Sequence, residues 1–285
     1  GRPNVGKSTL LNHLVEQKLS IVSRKPQTTR CNIHGIKSTD EAQIIFIDTP
    51  GLQKEPKIAL NRYMNKEVIN TLAYIDVVLF VVECMKWNEL DRNVLSAIKN
   101  VASDNIILLV NKLDKLGDKN KLLSYIQNLV DETGLRDILP VSAAKGDGLE
   151  QLESMIISRL PYGPPLYPLD QMTDRNERFF AAEFIREKLI NHLGDELPYR
   201  LSITIDEFKE DNDIVHIHAC IWVEKKGQKI IVIGKGGTLL KEIGMAARRD
   251  IESMLGKKVN LKTWVKVKTN WSNSEQALKQ FGYCE

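Results

Sequence analysis

Near-continuous apolar runs lie at residues 44–47 (IIFI), 77–82 (VVLFVV), 106–110 (IILLV) and 138–141 (ILPV), each of strand length. Between and after them, residues 61–72, 89–101, 121–133 and 149–160 carry apolar positions at helical spacing. Strands this apolar, joined by crossovers of this length, predict a mostly parallel sheet with helices on both faces. Residues 31–38 alternate more weakly and suit an edge strand, antiparallel to the rest. The chain opens at Gly1 without an initiator Met, so a further strand is expected upstream.

The pattern changes after residue 160. The segment LPYGPPLYPLDQMTD sets Pro161, Pro164, Pro165 and Pro168 within eight residues, which excludes helix and central strand. A linker over 161–176 is therefore expected between domains at 1–160 and 177–285. The second domain opens with a helical stretch, 178–193, in which Phe180, Phe184, Ile185 and Leu189 favour one side. Alternating segments follow at 201–208 and 214–223, then a short apolar run at 229–233 that groups with the strands. Gly234, Lys235, Gly236 and Gly237 come next, then a long helical pattern to Leu255, a strand at 260–267 and a short helix after Ser274. Trp222, Trp264 and Trp271 fall on or beside strands and are candidate core residues.

Composition adds limits. At 285 residues, 42% hydrophobic and 27% charged, the chain has globular composition and room for two cores. Cys31, Cys84, Cys220 and Cys284 are too dispersed for a CxxC metal site and too few for a disulfide scaffold, which fits a reducing, cytoplasmic setting. The longest apolar stretch, 72–85, contains Asp76 and is shorter than a membrane span. The net charge of +3 hides a contrast: residues 170–213 hold 12 acidic and 6 basic side chains, whereas 225–268 hold 12 basic and 3 acidic. The basic block is the natural place for a polyanion. The histidines form no metal constellation with Cys220, and His216 and His218 are read as structural.

Four motifs carry chemistry. The opening Gly1, Arg2, Pro3, Asn4, Val5, Gly6, Lys7, Ser8 and Thr9 fits G-x-x-x-x-G-K-[ST] ahead of a helical pattern. Its backbone N–H groups can wrap phosphates, Lys7 can reach the outer ones, and Ser8 can ligate magnesium. Asp48, Thr49, Pro50 and Gly51 end the IIFI run. There the carboxylate can hold Mg2+ and Gly51 can offer its N–H to a terminal phosphate. Asn111, Lys112, Leu113 and Asp114 follow IILLV: Asp114 can accept from both the N1–H and the 2-amino group of guanine, Asn111 can serve the N7 side and the neighbouring loop, and the Lys112 stem can lie over the base. Ser142, Ala143 and Ala144 end the next strand, where the Ala143 N–H would meet the guanine 6-oxo group. Facing adenine, the Asp114 carboxylate would lose its bonds, so GTP and GDP are the expected ligands.

These motifs, with KPQTTR at 25–30 and SAAK at 142–145, resemble the translation-factor-type GTPases and, within them, the Era-type GTPases with a C-terminal KH domain. The resemblance covers essentially the whole chain. It implies an α/β P-loop GTPase domain followed by an α+β type II KH domain, whose G-x-x-G loop clamps the backbone of unpaired nucleotides. It also implies a switch segment over 25–33 in which Thr29, with Thr28 a close second, closes on magnesium, and a second switch from Asp48 to about Lys57. Lys7 and Thr29 are the expected catalytic residues. Asn4 is the position at which related GTPases hold K+. Leu52 stands where Ras-like proteins place a glutamine, and Gln53 is one position late, so slow hydrolysis without a general base is expected. Gly234, Lys235, Gly236, Gly237, Lys241 and Arg248 are the expected RNA contacts. The implied partners are the 3' end of 16S rRNA and the small (30S) ribosomal subunit, with a peripheral fraction at the inner membrane and no DNA. Two rivals stay open at this point, an ATP-using enzyme and a guanine-nucleotide switch whose second domain binds protein.

Overall fold

The structure is a computed structural model that describes residues 1–23, 25, 28–52, 56, 58–99, 105–118, 120–194 and 200–283. Gln53, Lys57, Val101, Cys284 and, in the first switch segment, Pro26 and Gln27 lie outside them. The chain forms two compact units. The first holds Gly1–Ser20, Thr29–Pro56 and Met64–Asp174; the second holds Ile21–Thr28, Lys57–Tyr63 and Arg175–Glu285.

In the first unit, α1 (Lys7–Leu14) starts directly after Gly6 and buries Leu10, Leu11 and Leu14. Strands β1 (Ile33–Ser38) and β2 (Gln43–Asp48) form an antiparallel pair with Ile33 opposite Asp48, so the weakly alternating segment pairs as expected. Helix α2 (Ala59–Leu72), of which the part from Met64 belongs to this unit, leads to β3 (Val78–Glu83), α3 (Glu89–Lys99), β4 (Ile106–Asn111), α4 (Asn120–Thr133), β5 (Ile138–Pro140) and α5 (Leu149–Ile157). β3, β4 and β5 are parallel in that order. Every residue of β4 is buried, the expectation for a central strand covered on both faces. On one face Phe80, Val82, Leu108 and Val110 pack with Val94, Leu95 and Ile98 of α3 and Leu129 of α4. β2, β3, β4 and β5 end at the motif loops, while the antiparallel β1 starts there with Ile33 opposite Asp48, which places the motifs on one rim.

The proline-rich segment belongs to the first unit up to Asp174. It lies along the β1–β2 pair: the Ile36 N–H donates to Met172 O at 2.8 Å, and the Gln43 side chain donates to Tyr167 O at 2.9 Å while accepting from the Leu166 and Tyr167 N–H groups. One strand side chain, that of Gln43, and one strand N–H, that of Ile36, thus hold backbone groups of a segment whose prolines can donate none.

The second unit begins with α6 (Glu177–His192), capped by the Asn176 side chain, which accepts from the Phe179 N–H at 3.0 Å. Strands β6 (Leu201–Asp211), β7 (Ile214–Val223) and β8 (Lys258–Val267) form one sheet in that order, β6–β7 antiparallel and β7–β8 parallel. Helices α7 (Lys226–Ile233), α8 (Thr238–Leu255) and α9 (Glu275–Gln280) complete it. The run at 229–233 is thus the end of a helix, not a strand. A short apolar run has no decisive period. What settles it is Gln228, whose Oε1 accepts from the Glu224 and Lys225 N–H groups at 2.8 and 2.9 Å and starts a helical turn, and Gly234, whose φ of 74° ends it. Of the tryptophans, Trp271 is fully buried, but Trp264 is 45% exposed on the outer side of β8 beside His218. His218 pairs with Glu207 at 2.7 Å. Among the described residues no helix is long and apolar enough to cross a membrane.

Two earlier stretches group with this second unit, and specific bonds tie Lys25 and Ala59 within it. Lys25 Nζ donates to the carbonyls of Leu193 and Gly194 at the end of α6, and the Ala59 N–H donates to Asn273 Oδ1 at 3.1 Å. A cation at a helix C-terminus meets carbonyls that have no partner within the helix.

Candidate functional site

The phosphate loop is shaped by backbone that a side chain would obstruct. Gly6 has φ 106°, and a Cβ there would stand 2.3 Å from Asn111 Nδ2. Beyond it α1 starts with no side-chain cap, so its first N–H groups point into the loop. Lys7 is folded back over that loop, its Nζ donating to Gly1 O at 3.1 Å and Arg2 O at 3.2 Å. Burial holds the Lys7 ammonium below the usual lysine range, with Asp48 acting in the opposite direction. Asn4 is exposed at φ 65°, while Val5 is fully buried; Arg2, Pro3 and Thr9 are half-buried around the loop.

Three oxygens from three segments meet beside Lys7. Ser8 Oγ donates to Asp48 Oδ2 at 2.7 Å, Thr29 Oγ1 donates to the same oxygen at 3.2 Å, and the two hydroxyls lie 3.0 Å apart. Thr28 points elsewhere, its Oγ1 donating to Lys25 O at 2.8 Å. Asp48 is 4% exposed, its Oδ1 has no hydrogen-bond partner among the described residues, and burial pushes its carboxyl above the usual range. A buried, half-satisfied carboxylate flanked by two hydroxyls is a hard-oxygen donor set that suits Mg2+, and the cation would relieve the desolvated charge. Asn4, by contrast, is one amide at an exposed position and does not amount to a cage for K+. After Asp48 the backbone passes Thr49 and Pro50 to the buried Gly51, where a Cβ would meet Pro3 Cγ at 3.0 Å. Leu52 packs against the β3–β4 core, so its side chain is drawn toward the interior rather than toward water.

At the other end of the rim, the Asn111 amide joins two loops. Its Nδ2 donates to Val5 O at 2.8 Å and its Oδ1 accepts the Ala143 N–H at 2.9 Å, all within a region at most 2% exposed. In the structure the Ala143 N–H is donated to Asn111, and the Asn111 amide takes the expected role toward the neighbouring loop with one end and holds the phosphate loop with the other. The reason is burial: with Ala143 and Val5 inside, their backbone groups need internal partners. Ala144 is exposed next to them. Ser142 Oγ donates to Asp114 Oδ1 at 2.7 Å, which fixes one carboxylate oxygen and leaves the exposed side chain aimed outward. Lys112, at φ 71°, donates from Nζ to Asn4 O at 2.6 Å and to Glu83 Oε2 at 2.8 Å. Glu83 and Asp91 escaped the reading of the sequence. The available signal was a carboxylate closing an otherwise apolar strand.

In the second unit, Gly234, Lys235, Gly236 and Gly237 form a tight turn between α7 and α8. All three glycines have positive φ; a Cβ on Gly234 would meet Leu239 Cβ at 2.7 Å, whereas Gly236 and Gly237 face open space. Lys235 and Lys241 are exposed, and Arg248, one and two turns along the same side of α8 from Met245 and Lys241, is paired with Glu252 at 2.9 Å. Exposed Ile230 and Ile231 flank the turn on α7.

Residues 1–112 match the 50S ribosome-binding GTPase family and residues 196–272 match the KH domain. The chain is 50% identical over 285 residues to the GTPase Era of Ectopseudomonas mendocina, covering 100% of this chain and 95% of that protein. It is 50% identical over 283 residues to the GTPase Era of Azotobacter vinelandii, covering 99% and 94%. Two crystal structures superpose with a TM-score of 0.96 at 38% identity, covering 100% of this chain and 97% of theirs: an Aquifex aeolicus Era variant bound to GDP·AlF4−, and Era in complex with MgGDPNP and nucleotides 1506–1542 of 16S ribosomal RNA. A parallel-stranded nucleotide-site unit followed by a KH unit, matched along its full length at this identity, places the chain in the Era GTPase family.

Proposed function

We propose that the chain is a magnesium-dependent GTPase that binds GTP, hydrolyses it slowly to GDP and phosphate, and couples this cycle to binding of the 16S rRNA 3' end during assembly of the small ribosomal subunit. The convergence of Ser8, Thr29 and Asp48 beside Lys7, on the same rim as Asp114, is the observation that carries it. In this reading Lys7 exchanges its loop carbonyls for phosphate oxygens, and the N–H groups from Gly6 to Thr9 surround the phosphates. Ser8, Thr29 and Asp48 hold Mg2+, which supplies charge neutralisation when bound. Gly51 offers its N–H to the terminal phosphate. Asp114 reads the guanine N1–H and 2-amino group, Ser142 fixes its orientation, the Lys112 stem lies over the base, and Ala143 and Ala144 line the 6-oxo side. With Leu52 turned inward, positioning and electrostatics carry the chemistry and no side chain serves as general base.

The turn from Gly234 to Gly237 is the proposed clamp on unpaired RNA. Gly236 and Gly237 allow backbone to approach phosphate, and Lys235, Lys241 and Arg248 add cationic charge. The reading takes the protein as cytoplasmic with a fraction at the inner membrane, and it gives K+ no role, because the single exposed amide of Asn4 is not a cation cage. GTP hydrolysis measured as phosphate release with and without Mg2+, and with a single-stranded 16S 3'-end fragment added, tests the reading. Release that needs Mg2+ and rises mildly with the RNA is expected; release indifferent to both would overturn it.

A further inference from the structure

Glu83 is the polar end of β3, and its register partner across the parallel ladder is Asn111. The carboxylate therefore stands beside the loop that carries Asn111, Lys112 and Asp114. Its side chain is 12% exposed and faces three cations: Lys86 Nζ at 2.6 Å, Lys112 Nζ at 2.8 Å and Arg2 Nη2 at 3.8 Å. Two of these belong to nucleotide loops. The Lys112 ammonium is held between Glu83 Oε2 and the Asn4 carbonyl, 2.6 Å away. The Arg2 guanidinium continues to Asp91, a fully buried carboxylate 3.1 Å from Arg2 Nε that also accepts the Asn88 N–H at 3.2 Å.

A lysine stem contributes to a base site only when its four rotatable bonds are held, because a free side chain loses rotamer entropy on contact. Two anchors at the ammonium do that here, one a carbonyl of the phosphate loop and one the Glu83 carboxylate. Burial alone would push the Glu83 carboxyl up, but the Lys112 and Lys86 ammoniums outweigh it and bring it down to about 2, so the anchor stays charged.

We infer that Glu83 is a positioning residue of the nucleotide site: it fixes the Lys112 stem where the base lies against it and, through Arg2, ties the phosphate loop to the same point, so that the base and phosphate halves are assembled before nucleotide arrives. The inference rests on the guanine-nucleotide reading above. It assigns Glu83 no contact with nucleotide, and its effect runs through Lys112 and Arg2.

The test is the release rate of fluorescent mant-GDP from the full chain. Glu83→Gln keeps the shape and removes the charge, and release about tenfold faster is expected, with association within about twofold of wild type. Lys112→Met, which keeps the stem and removes the ammonium, should accelerate release to a similar degree. Combining the two should add nothing, because both remove one interaction. A merely structural Glu83 would instead give multiplied effects in the double variant, and that result, or release from Glu83→Gln within twofold of wild type, overturns the inference. Lys86→Ala, which removes an exposed partner, should leave release unchanged. Should Glu83→Gln not fold, Glu83→Asp decides: it withdraws the charge by one methylene, release about threefold faster supports the role, and wild-type release overturns it. A wild-type protein with no mant-GDP binding would overturn the guanine-nucleotide reading instead.

Discussion

Replacing Asn111 by Asp changes one group, an NH2 into an oxygen, at a position where shape is conserved and chemistry is not. In the native protein that NH2 donates to Val5 O at 2.8 Å, and the other end of the amide accepts the Ala143 N–H at 2.9 Å. The second bond survives in Asn111→Asp. The first becomes two oxygens face to face in a site where Asn111 is 2% and Val5 0% exposed. A lost hydrogen bond of about 1 kcal/mol, together with a buried carbonyl left unpartnered at about 1–3 kcal/mol, makes the expected destabilisation of the joined loops on the order of 3 kcal/mol. If those loops must be reassembled when nucleotide binds, GDP affinity falls about a hundredfold. Burial and the opposed carbonyl would raise the new carboxyl's pKa, and once protonated it can donate to Val5 O as the amide did. The deficit should therefore narrow as pH falls through that pKa. Titration of mant-GDP fluorescence from pH 8 to pH 5, on wild type and variant side by side, measures both effects. Wild-type affinity at pH 8, or a deficit that widens on acidification, would refute the role given to this amide.

Other outcomes follow from the same geometry. Asp114→Asn should weaken GTP and favour xanthosine triphosphate, whose 2-oxo group needs a donor; competition binding with both nucleotides checks it. Lys7→Ala should largely abolish hydrolysis while circular dichroism stays native, since its ammonium serves the loop rather than the core. Replacing Lys235 and Gly236 together by Asp should sharply weaken binding of a single-stranded 16S 3'-end fragment and flatten its salt dependence, without altering GDP affinity, as fluorescence anisotropy across a salt series would show. The lowered Glu83 carboxyl stabilises the folded state fully above about its ordinary value of 4.5, and this stabilisation is lost as pH falls toward about 2. Urea unfolding at a series of pH values should thus show wild type and Glu83→Gln converging on the acid side.

The periodic pattern made most elements visible, and most clearly β3 and β4, which are buried on both faces and read as unbroken apolar runs. The run at 229–233 reads equally as a strand and as the end of a helix, since four apolar residues in succession suit both, and the deciding features are a glutamine side chain and a positive-φ glycine. Motif spacing located Ser8, Asp48 and Asp114 in the chain, and the fold sets them at the start of α1, at the end of β2 and just after β4. Spacing did not show that the Ala143 N–H is donated to Asn111, which depends on how deeply two loops are buried against each other. Glu83 and Asp91 were hidden for a related reason: single carboxylates carry no spacing signature, and their importance comes from the cations that the fold brings to them. The attachment of residues 21–28 and 57–63 to the second unit was equally absent from the pattern, because Lys25 and Asn273 act through backbone groups far away in sequence.

Binding of guanine nucleotide with magnesium at this rim is decided by calorimetric titration of the protein with GDP and with ADP, each with Mg2+. One GDP site per chain is expected, with ADP binding at least about a thousandfold weaker because Asp114 finds no paired donors on adenine. Equal binding of the two, or preference for ADP, would contradict the account.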